Sequence, residues 1–212
     1  MPDGVELRLM RSDGDYAIFL ERNELMSSDM SASEVALGTM TCARLGQRDA
    51  PDLLIGGYGM GFTLRAVLAA LGSDASVTVA EIVPEIIEWA RGPMQGLTAG
   101  ALDDPRVMLI MDDVAMLIDA AQDGYDAILL DVDNGPEGLT RPLNDHLYSR
   151  DGLQSAMMAL KPQGVLAIWS AAPDPAFAVE LERAGFAVAE VQVDAVLDDG
   201  GLSHVIWFAR KA

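Results

Sequence analysis

The chain is poor in cysteine and in basic residues. Its 212 residues include a single cysteine, Cys42, so neither an internal disulfide nor a cysteine-based zinc site can form. Lysine and arginine together number 14 against 33 aspartates and glutamates, which gives a formal net charge of −19. Such a surface repels phosphates and argues against a nucleic-acid partner. It suits a cationic substrate but serves solubility equally well, so charge alone does not identify the substrate.

Long apolar runs are also missing. Half of the residues are hydrophobic, yet no run reaches the roughly 18 residues that span a bilayer. The opening stretch MPDGVELRLMRSDGD lacks the basic start and apolar core of a secretory signal. We therefore expect a cytoplasmic protein without a membrane partner. The length suits one well-packed domain better than two.

Strand and helix patterns alternate from residue 51 onwards. Several apolar runs, such as AILLD and VLAIWS, are continuous, which is typical of strands covered on both faces of a parallel sheet. Right-handed crossovers then predict a doubly wound, three-layer α/β sandwich. The predicted strands are Asp52–Gly56, Ser76–Ile82, Val107–Met111, Ala127–Asp131 and Val165–Ser170. The predicted helices are Thr63–Leu71, Pro84–Arg91, Val114–Ala121, Arg150–Leu160 and Pro175–Ala184.

The segment before this alternation has a different pattern. Val5–Met10 and Tyr16–Glu21 flank turn residues and predict a short β-hairpin, followed by a strand at Leu25–Ser27. Helical spacing follows at Ser33–Leu45. We therefore divide the chain into an N-terminal extension, residues 1–48, and a Rossmann-like domain, residues 49–212.

Glycines and acids follow the predicted parallel strands where each strand ends. GGYGMG places four glycines between a strand and a helix, where missing Cβ atoms let a ligand approach backbone N–H groups: Gly56, Gly57, Gly59 and Gly61. Later strand ends carry four acids, namely Glu81, Asp112, Asp113 and Asp131. Because ligands of open α/β sheets bind outside the carboxyl ends of the strands, we expect these groups to converge.

The acids suit an adenosyl sulfonium ligand. Glu81 follows the last glycine by about 20 residues, a spacing at which an acid accepts hydrogen bonds from ribose hydroxyls. Asp113 can accept from the adenine amine and can also cap the next helix. Asp131 can hold a cationic amine or take its proton. Their neighbours Tyr58, Ile82 and Asp112 complete the predicted binding set, and no metal site is indicated.

The last two predicted strands, Val188–Val193 and His204–Ala209, have no helix between them and therefore predict an antiparallel pair. A mostly parallel, seven-stranded sheet with an antiparallel last strand resembles the plan of class I S-adenosylmethionine-dependent methyltransferase-fold enzymes. Nicotinamide-binding folds usually lack that ending, which disfavours a dehydrogenase.

Five segments resemble the spermidine synthases and related aminopropyltransferases and cover roughly residues 50–172. They are LLIGGYGMGFTLRAVL, VTVAEIVPEIIEWAR, DPRVMLIMDD, YDAILLDVDNGP and LYSRDGLQSAMMALKPQGVLAIWS. The resemblance implies decarboxylated S-adenosylmethionine as the donor, putrescine or another small amine as the acceptor, and a homodimer. It also implies that Asp131 deprotonates the amine, while Glu81 binds the ribose and Asp113 the adenine.

The substrate side departs from the family pattern. DVDNGP is shorter than the usual gate-keeping loop, and Asp133 and Asn134 are the predicted substrate contacts there, together with Tyr148. The Tyr-Gln pair of the family is replaced by Ala32 and Ser33, with Glu34 beside them.

The glycine loop departs as well, because Tyr58 and Met60 stand where the family usually places an aspartate. Two alternatives therefore stay open: a methyltransferase that uses intact S-adenosylmethionine, and a non-catalytic protein that binds an adenosyl ligand.

Other conspicuous residues are interpreted as structural. We expect Cys42 and most of the twelve methionines to lie in the core, the latter as adaptable fillers. His146 is interpreted as a surface residue and His204 as a structural one. Trp169 ends a predicted strand, where it either walls the pocket or packs in the core.

Overall fold

A small antiparallel sheet precedes the main domain. In the computed structural model, which describes residues 7–132, 145–195 and 203–212, this sheet consists of β1 (Leu7–Ser12), β2 (Asp15–Leu20) and β3 (Asn23–Ser27), paired in that order. The predicted hairpin and its third strand are thus confirmed. The predicted substrate residues Asp133 and Asn134 lie outside the described residues.

The main sheet has seven strands in the order β6-β5-β4-β7-β8-β10-β9. Neighbours from β6 to β8 are parallel, and β10 runs antiparallel to both β8 and β9. The strands are β4 (Asp52–Gly56), β5 (Ser76–Ala80), β6 (Val107–Ile110), β7 (Tyr125–Leu130), β8 (Leu160–Ser170), β9 (Ala187–Asp194) and β10 (Ser203–Arg210). The predicted fold class is therefore confirmed, including its antiparallel last strand.

Helices cover both faces of the main sheet. Alternate residues of a strand point to opposite faces, so Leu53 and Ile55 join one core and Leu54 the other. The first core packs α1, α2 and α3, and the second packs α5, α7 and α8. The helices are α1 (Ala32–Leu45), α2 (Phe62–Ala70), α3 (Pro84–Arg91), α4 (Gln95–Thr98), α5 (Val114–Asp119), α6 (Asp145–Tyr148), α7 (Arg150–Ala159) and α8 (Pro175–Arg183).

The N-terminal sheet shares the first of these cores. Tyr16 and Ile18 of β2 are buried in it together with Cys42 of α1, which confirms the interpretation of the cysteine as a core residue. Tyr16 also donates a hydrogen bond of 2.6 Å to the main-chain oxygen of Pro93. Within the described residues, no helix combines the length and apolar character needed to cross a membrane.

A charged cluster closes the amino end of β7. The carboxylate of Asp126, which is 4% exposed, accepts hydrogen bonds from Arg48, from Lys161 at 2.8 Å and from the amide of Asp52 at 2.8 Å. Burial alone would raise the pKa of Asp126, but these three donors outweigh burial and lower it. The cluster ties together the loop before β4, the start of β7 and the start of β8.

Replacing this carboxylate is expected to destabilise the fold. Asp126→Asn should lower the free energy of unfolding by about 1.5–3 kcal/mol at pH 7, because charged hydrogen bonds are lost. Since the folded pKa lies below the unfolded one, this stabilisation is present above the unfolded value of about 3.9 and is lost as pH falls through the folded pKa. Urea unfolding at several pH values should show the gap to wild type closing in acid.

The control variant is Asp123→Asn, which removes an ion pair with Lys211 in which the aspartate side chain is 54% exposed. Exposed pairs contribute about 0–1 kcal/mol. Equal losses in the two variants, or a gap that widens in acid, would contradict the assignment of Asp126 as the buried centre of the cluster.

Candidate functional site

The glycine loop after β4 is shaped by the backbone of the protein itself. Gly57 has a φ of 84°, and a Cβ there would lie 2.2 Å from the main-chain oxygen of Asp131. Gly59, with a φ of 54°, is different, because the nearest atom to its Cβ position is the sulfur of Met26 at 3.4 Å. Gly57 is therefore required by the approach of the chain after β7, whereas a Cβ on Gly59 would only make a van der Waals contact with Met26.

The residues between the glycines point into the protein. Tyr58 and Met60 are each 3% exposed, and a Cβ on Gly61 would lie 2.7 Å from the Tyr58 hydroxyl. Burial raises the pKa of Tyr58. On Gly56, a Cβ would meet the side chain of Val114 at 2.9 Å. Three of the four predicted glycines are thus explained by packing within the protein, and the ligand-facing role of Gly59 stays a prediction.

Glu81 joins the loop after β4 to the loop after β5. Glu81 is 7% exposed. Its carboxylate accepts a hydrogen bond of 2.9 Å from the amide of Tyr58 and one of 2.8 Å from the amide of Val83. Burial raises the pKa of Glu81, and these hydrogen bonds only partly oppose the rise. The amides of Ile82 and Gly59 also donate to this carboxylate, and the predicted contact with ribose hydroxyls stays a prediction. The neighbouring Ile82 is 39% exposed.

Asp112 and Asp113 follow β6 at the same edge of the sheet. Asp113 caps α5 by accepting a hydrogen bond of 2.9 Å from the amide of Ala115, so the capping role is confirmed. Asp112 is exposed and accepts 2.8 Å from the amide of Asp113. The predicted adenine contact of Asp113 stays a prediction.

A cleft opens beside the glycine loop, and we call it the acidic cleft. Its walls come from β3, α1, the glycine loop, the start of α2, the residue after β7 and the end of β8: Leu25, Met26, Ser27, Glu34, Tyr58, Gly59, Met60, Phe62, Asp131 and Trp169. Of these described lining residues, Glu34 and Asp131 carry charge, and none is basic. A site of this composition favours a cationic guest.

Asp131 lies directly after β7, as the topology predicted. Its Oδ2 accepts a 2.7 Å hydrogen bond from Thr63, the second residue of α2, and burial raises the pKa of Asp131 to about 6. The same Thr63 hydroxyl lies 3.3 Å from the main-chain oxygen of Glu34. Thr63 therefore connects the two acidic walls of the cleft. Sequence reasoning missed it, because nothing but its place after the glycine loop marks it.

Glu34 is the second acid of the cleft, and sequence reasoning assigned it no role. Burial and the charge of Asp131 raise the pKa of Glu34 to about 7. The Oε2 atom of Glu34 accepts a hydrogen bond of 2.7 Å from the hydroxyl of Ser33. The available signal was its position beside the residues that replace the Tyr-Gln pair of the family.

The remaining predicted residues divide between the cleft and its surroundings. Trp169 walls the cleft and also packs against the first core, so both of the roles considered for it are present. The hydroxyl of Tyr148 donates a hydrogen bond of 3.3 Å to the main-chain oxygen of Val132, the residue after Asp131. The ring of Tyr148 packs edge-on against Phe177. His146 is exposed, as expected. No group of three or more His, Cys, Asp or Glu side chains is placed to hold a metal ion in the described ranges 7–132, 145–195 and 203–212.

The fold and the edge on which the acids lie define a Rossmann-like protein of the methyltransferase fold. The comparison with known families is more specific. A family model, the spermine/spermidine synthase domain, matches residues 41–179, and the chain belongs to that family.

Individual relatives agree with this assignment. The chain is similar to a polyamine aminopropyltransferase of Mycobacterium tuberculosis, at 32% identity over 127 residues, which is 58% of this chain and 23% of the relative. It is 35% identical over 130 residues to polyamine aminopropyltransferase 2 of Pseudomonas aeruginosa, which is 59% of this chain and 35% of that protein. The chain thus spans about a quarter to a third of the length of these two relatives.

A solved structure supports the fold over nearly the whole chain. The spermidine synthase of Thermotoga maritima superposes with a TM-score of 0.73 at 20% identity, covering 98% of this chain and 75% of that one. At this identity the likeness establishes the shared fold and no more.

Proposed function

We propose that this protein transfers an aminopropyl group from decarboxylated S-adenosylmethionine to a small amine such as putrescine. The observation that carries the proposal is the acidic cleft, with two partly buried carboxylates and no basic side chain among its described lining residues. An amine acceptor is cationic at neutral pH, and so is a sulfonium donor, so both are attracted to such a cleft. The names of the relatives in the same family support this acceptor class.

The strand edge beside the cleft fits an adenosyl group. Glu81 follows β5 with a carboxylate held by backbone amides, and Gly59 lines the acidic cleft. We propose that Glu81 holds the ribose, that Asp113 faces the adenine, and that Gly56, Gly57, Tyr58 and Gly61 shape the wall behind them. The bound donor would supply an electrophilic carbon next to its sulfonium.

In this proposal Asp131 performs the proton chemistry. Its pKa of about 6 leaves it ionised at pH 7, yet makes it a stronger base than an ordinary aspartate. The carboxylate holds the acceptor ammonium and takes one proton, which frees the nitrogen lone pair. The N–C bond then forms as the C–S bond breaks, and the electron pair of that bond stays on a neutral thioether sulfur. Alignment of the two reactants contributes about 7–11 kcal/mol when the geometry is good.

Calorimetric titration tests the proposed donor. We expect decarboxylated S-adenosylmethionine and methylthioadenosine to bind with dissociation constants below about 1 mM, an energy of at least about 4 kcal/mol, and intact S-adenosylmethionine to bind more weakly. Incubation of the preferred donor with putrescine should yield spermidine, which mass spectrometry detects.

The titration and the incubation together separate the alternatives. Preferential binding of intact S-adenosylmethionine would favour the methyltransferase. Binding without turnover of any amine would favour the non-catalytic adenosyl-binding protein. The absence of binding by all three nucleosides would overturn the adenosyl site itself.

We also propose a localisation, an oligomeric state and a domain boundary for this protein. We infer a cytoplasmic homodimer without nucleic-acid or membrane partners and without a metal. We retain the boundary between the N-terminal extension and the Rossmann-like domain near residue 48, which falls between α1 and β4. Light scattering coupled to size exclusion measures the oligomeric state directly.

A further inference from the structure

A buried hydrogen-bonded chain leads away from the acidic cleft. The hydroxyl of Ser33, a fully buried residue, lies 2.7 Å from Oε2 of Glu34 and 2.9 Å from Nδ1 of His204. His204 is 8% exposed and is the second residue of β10. Its ring meets Trp169, which walls the cleft, edge-on at 4.8 Å between centroids. The cleft and the antiparallel strand are thus connected through α1.

The proton on Ser33 decides the direction of this chain. A hydroxyl has one proton, and an ionised carboxylate can only accept. When Glu34 is ionised, Ser33 must donate to it and must therefore accept from the N–H at Nδ1 of His204. Burial lowers the pKa of His204 and favours the neutral ring. The tautomer that matches an ionised Glu34 carries its proton at Nδ1. The chain thus delivers one oriented hydrogen bond to Glu34.

We propose that Ser33 and His204 are positioning residues that hold Glu34 as a second proton-accepting carboxylate, opposite Asp131 across the cleft. The identity of the amine that these two acids bind rests on the proposed function, whereas the hydrogen-bonded chain does not. Two acids around one ammonium satisfy two of its N–H groups, and either acid can take the proton that the nitrogen must lose before it attacks. This second acid distinguishes the cleft from a site with Asp131 alone.

The groups that face Glu34 define what its titration reports. From α1 itself there is Ser33, from β10 there is His204, and from the end of β7 there is Asp131. Among the described lining residues, the walls from β3, the glycine loop and β8 add Tyr58 as the one further titratable group. A change in the pKa of Glu34 therefore reports on Ser33, His204 and Asp131.

Carbon-13 NMR titration of the glutamate carboxyls in the free protein tests the chain without any ligand. In wild type we expect the carboxyl of Glu34, assigned by the loss of its signal in Glu34→Gln, to titrate near pH 7. Ser33→Ala removes a donor to the carboxylate and should raise that pKa by about one unit. Thr39→Ala, on the exposed face of the same helix, is the matched control and should leave it unchanged.

Variants of His204 provide a second measurement should Ser33→Ala fold poorly. His204→Phe keeps a ring against Trp169 but removes the N–H, so it should raise the pKa of Glu34. His204→Asn keeps a donor close to Nδ1 and should restore the wild-type value. Titration curves for His204→Phe and His204→Asn that both coincide with wild type would overturn the proposed chain.

The activity assay separates this inference from the proposed function. The acid limb of the pH profile of kcat/KM should move upward in Ser33→Ala by the same amount as the NMR titration. An active wild type with an unmoved limb in Ser33→Ala would refute the role of Glu34 and leave aminopropyl transfer standing. A wild type that binds no adenosyl nucleoside would refute the proposed function. The NMR titrations would still test the hydrogen-bonded chain of Glu34, Ser33 and His204.

Discussion

Asp131→Asn is expected to lower kcat/KM for aminopropyl transfer by about 10²–10⁴-fold, the usual contribution of a positioned acid or base. An amide cannot take the amine proton, and it does not attract an ammonium group as a carboxylate does. The amide oxygen can still accept the hydrogen bond from Thr63, so the local structure should persist. Because burial raises the pKa of Asp131, ionisation of this group opposes folding at neutral pH. The melting temperature of the variant should therefore equal or exceed that of wild type.

Initial rates at saturating donor, measured from pH 6 to 9, check this prediction. The matched control is Asp119→Asn, an exposed acid on α5 outside the acidic cleft. Calorimetry with methylthioadenosine should show unchanged binding, which separates a lost base from a lost site. Turnover equal to that of wild type would remove Asp131 from its role.

The same variant should change Glu34. The charge of Asp131 contributes to the raised pKa of Glu34, so Asp131→Asn should lower that pKa toward the ordinary glutamate value. In wild type, activity should decline as pH falls through about 7 and 6, because each carboxylate then takes a proton from water and no longer accepts one from the amine. The pH profile of the variant should lose the step of Asp131 and show the step of Glu34 at a lower pH than in wild type.

Elements with a long buried pattern were predictable from sequence. The predicted bounds of Asp52–Gly56 and Pro84–Arg91 match those of β4 and α3, because an apolar run and a proline at a helix start carry strong local signals. The four-residue helices α4 and α6 were missed, since one turn shows no periodicity. β8 begins at Leu160 rather than Val165. Pro162 and Gly164 suggest a loop there, but pairing with β7 extends the strand.

The site was predictable where topology alone brings residues together. Glu81 and Asp131 follow β5 and β7, the two parallel strands that flank β4, so their common edge follows from the strand pattern. Ser33 and His204 are 171 residues apart, and they meet because β10 inserts between β8 and β9 beneath α1. No local pattern encodes that contact. His204 was interpreted as structural, and its buried hydrogen bond is consistent with that interpretation while adding a link to the cleft.

Gly57→Ala is expected to lower the free energy of unfolding by about 2–5 kcal/mol, the sum of left-handed strain and overpacking. Its φ of 84° disfavours any residue with a Cβ, and that Cβ would lie 2.2 Å from the main-chain oxygen of Asp131. Backbone is the one neighbour that cannot rotate away, so either the glycine loop or the chain after β7 must shift. Chemical denaturation measures the loss of stability.

Gly100→Ala isolates the contribution of the clash. Gly100 is in the left-handed region, with φ 69° and ψ 21°, but nothing lies within 4 Å of its Cβ position, so it should cost only the left-handed strain of about 1–2 kcal/mol. Equal losses in the two variants would show that the chain at Asp131 yields freely. A larger loss at Gly57 would show that this glycine fixes the main chain carrying Asp131. In that case Gly57→Ala should also reduce kcat, because the substitution would displace Asp131 even though residue 57 itself does not contact a ligand.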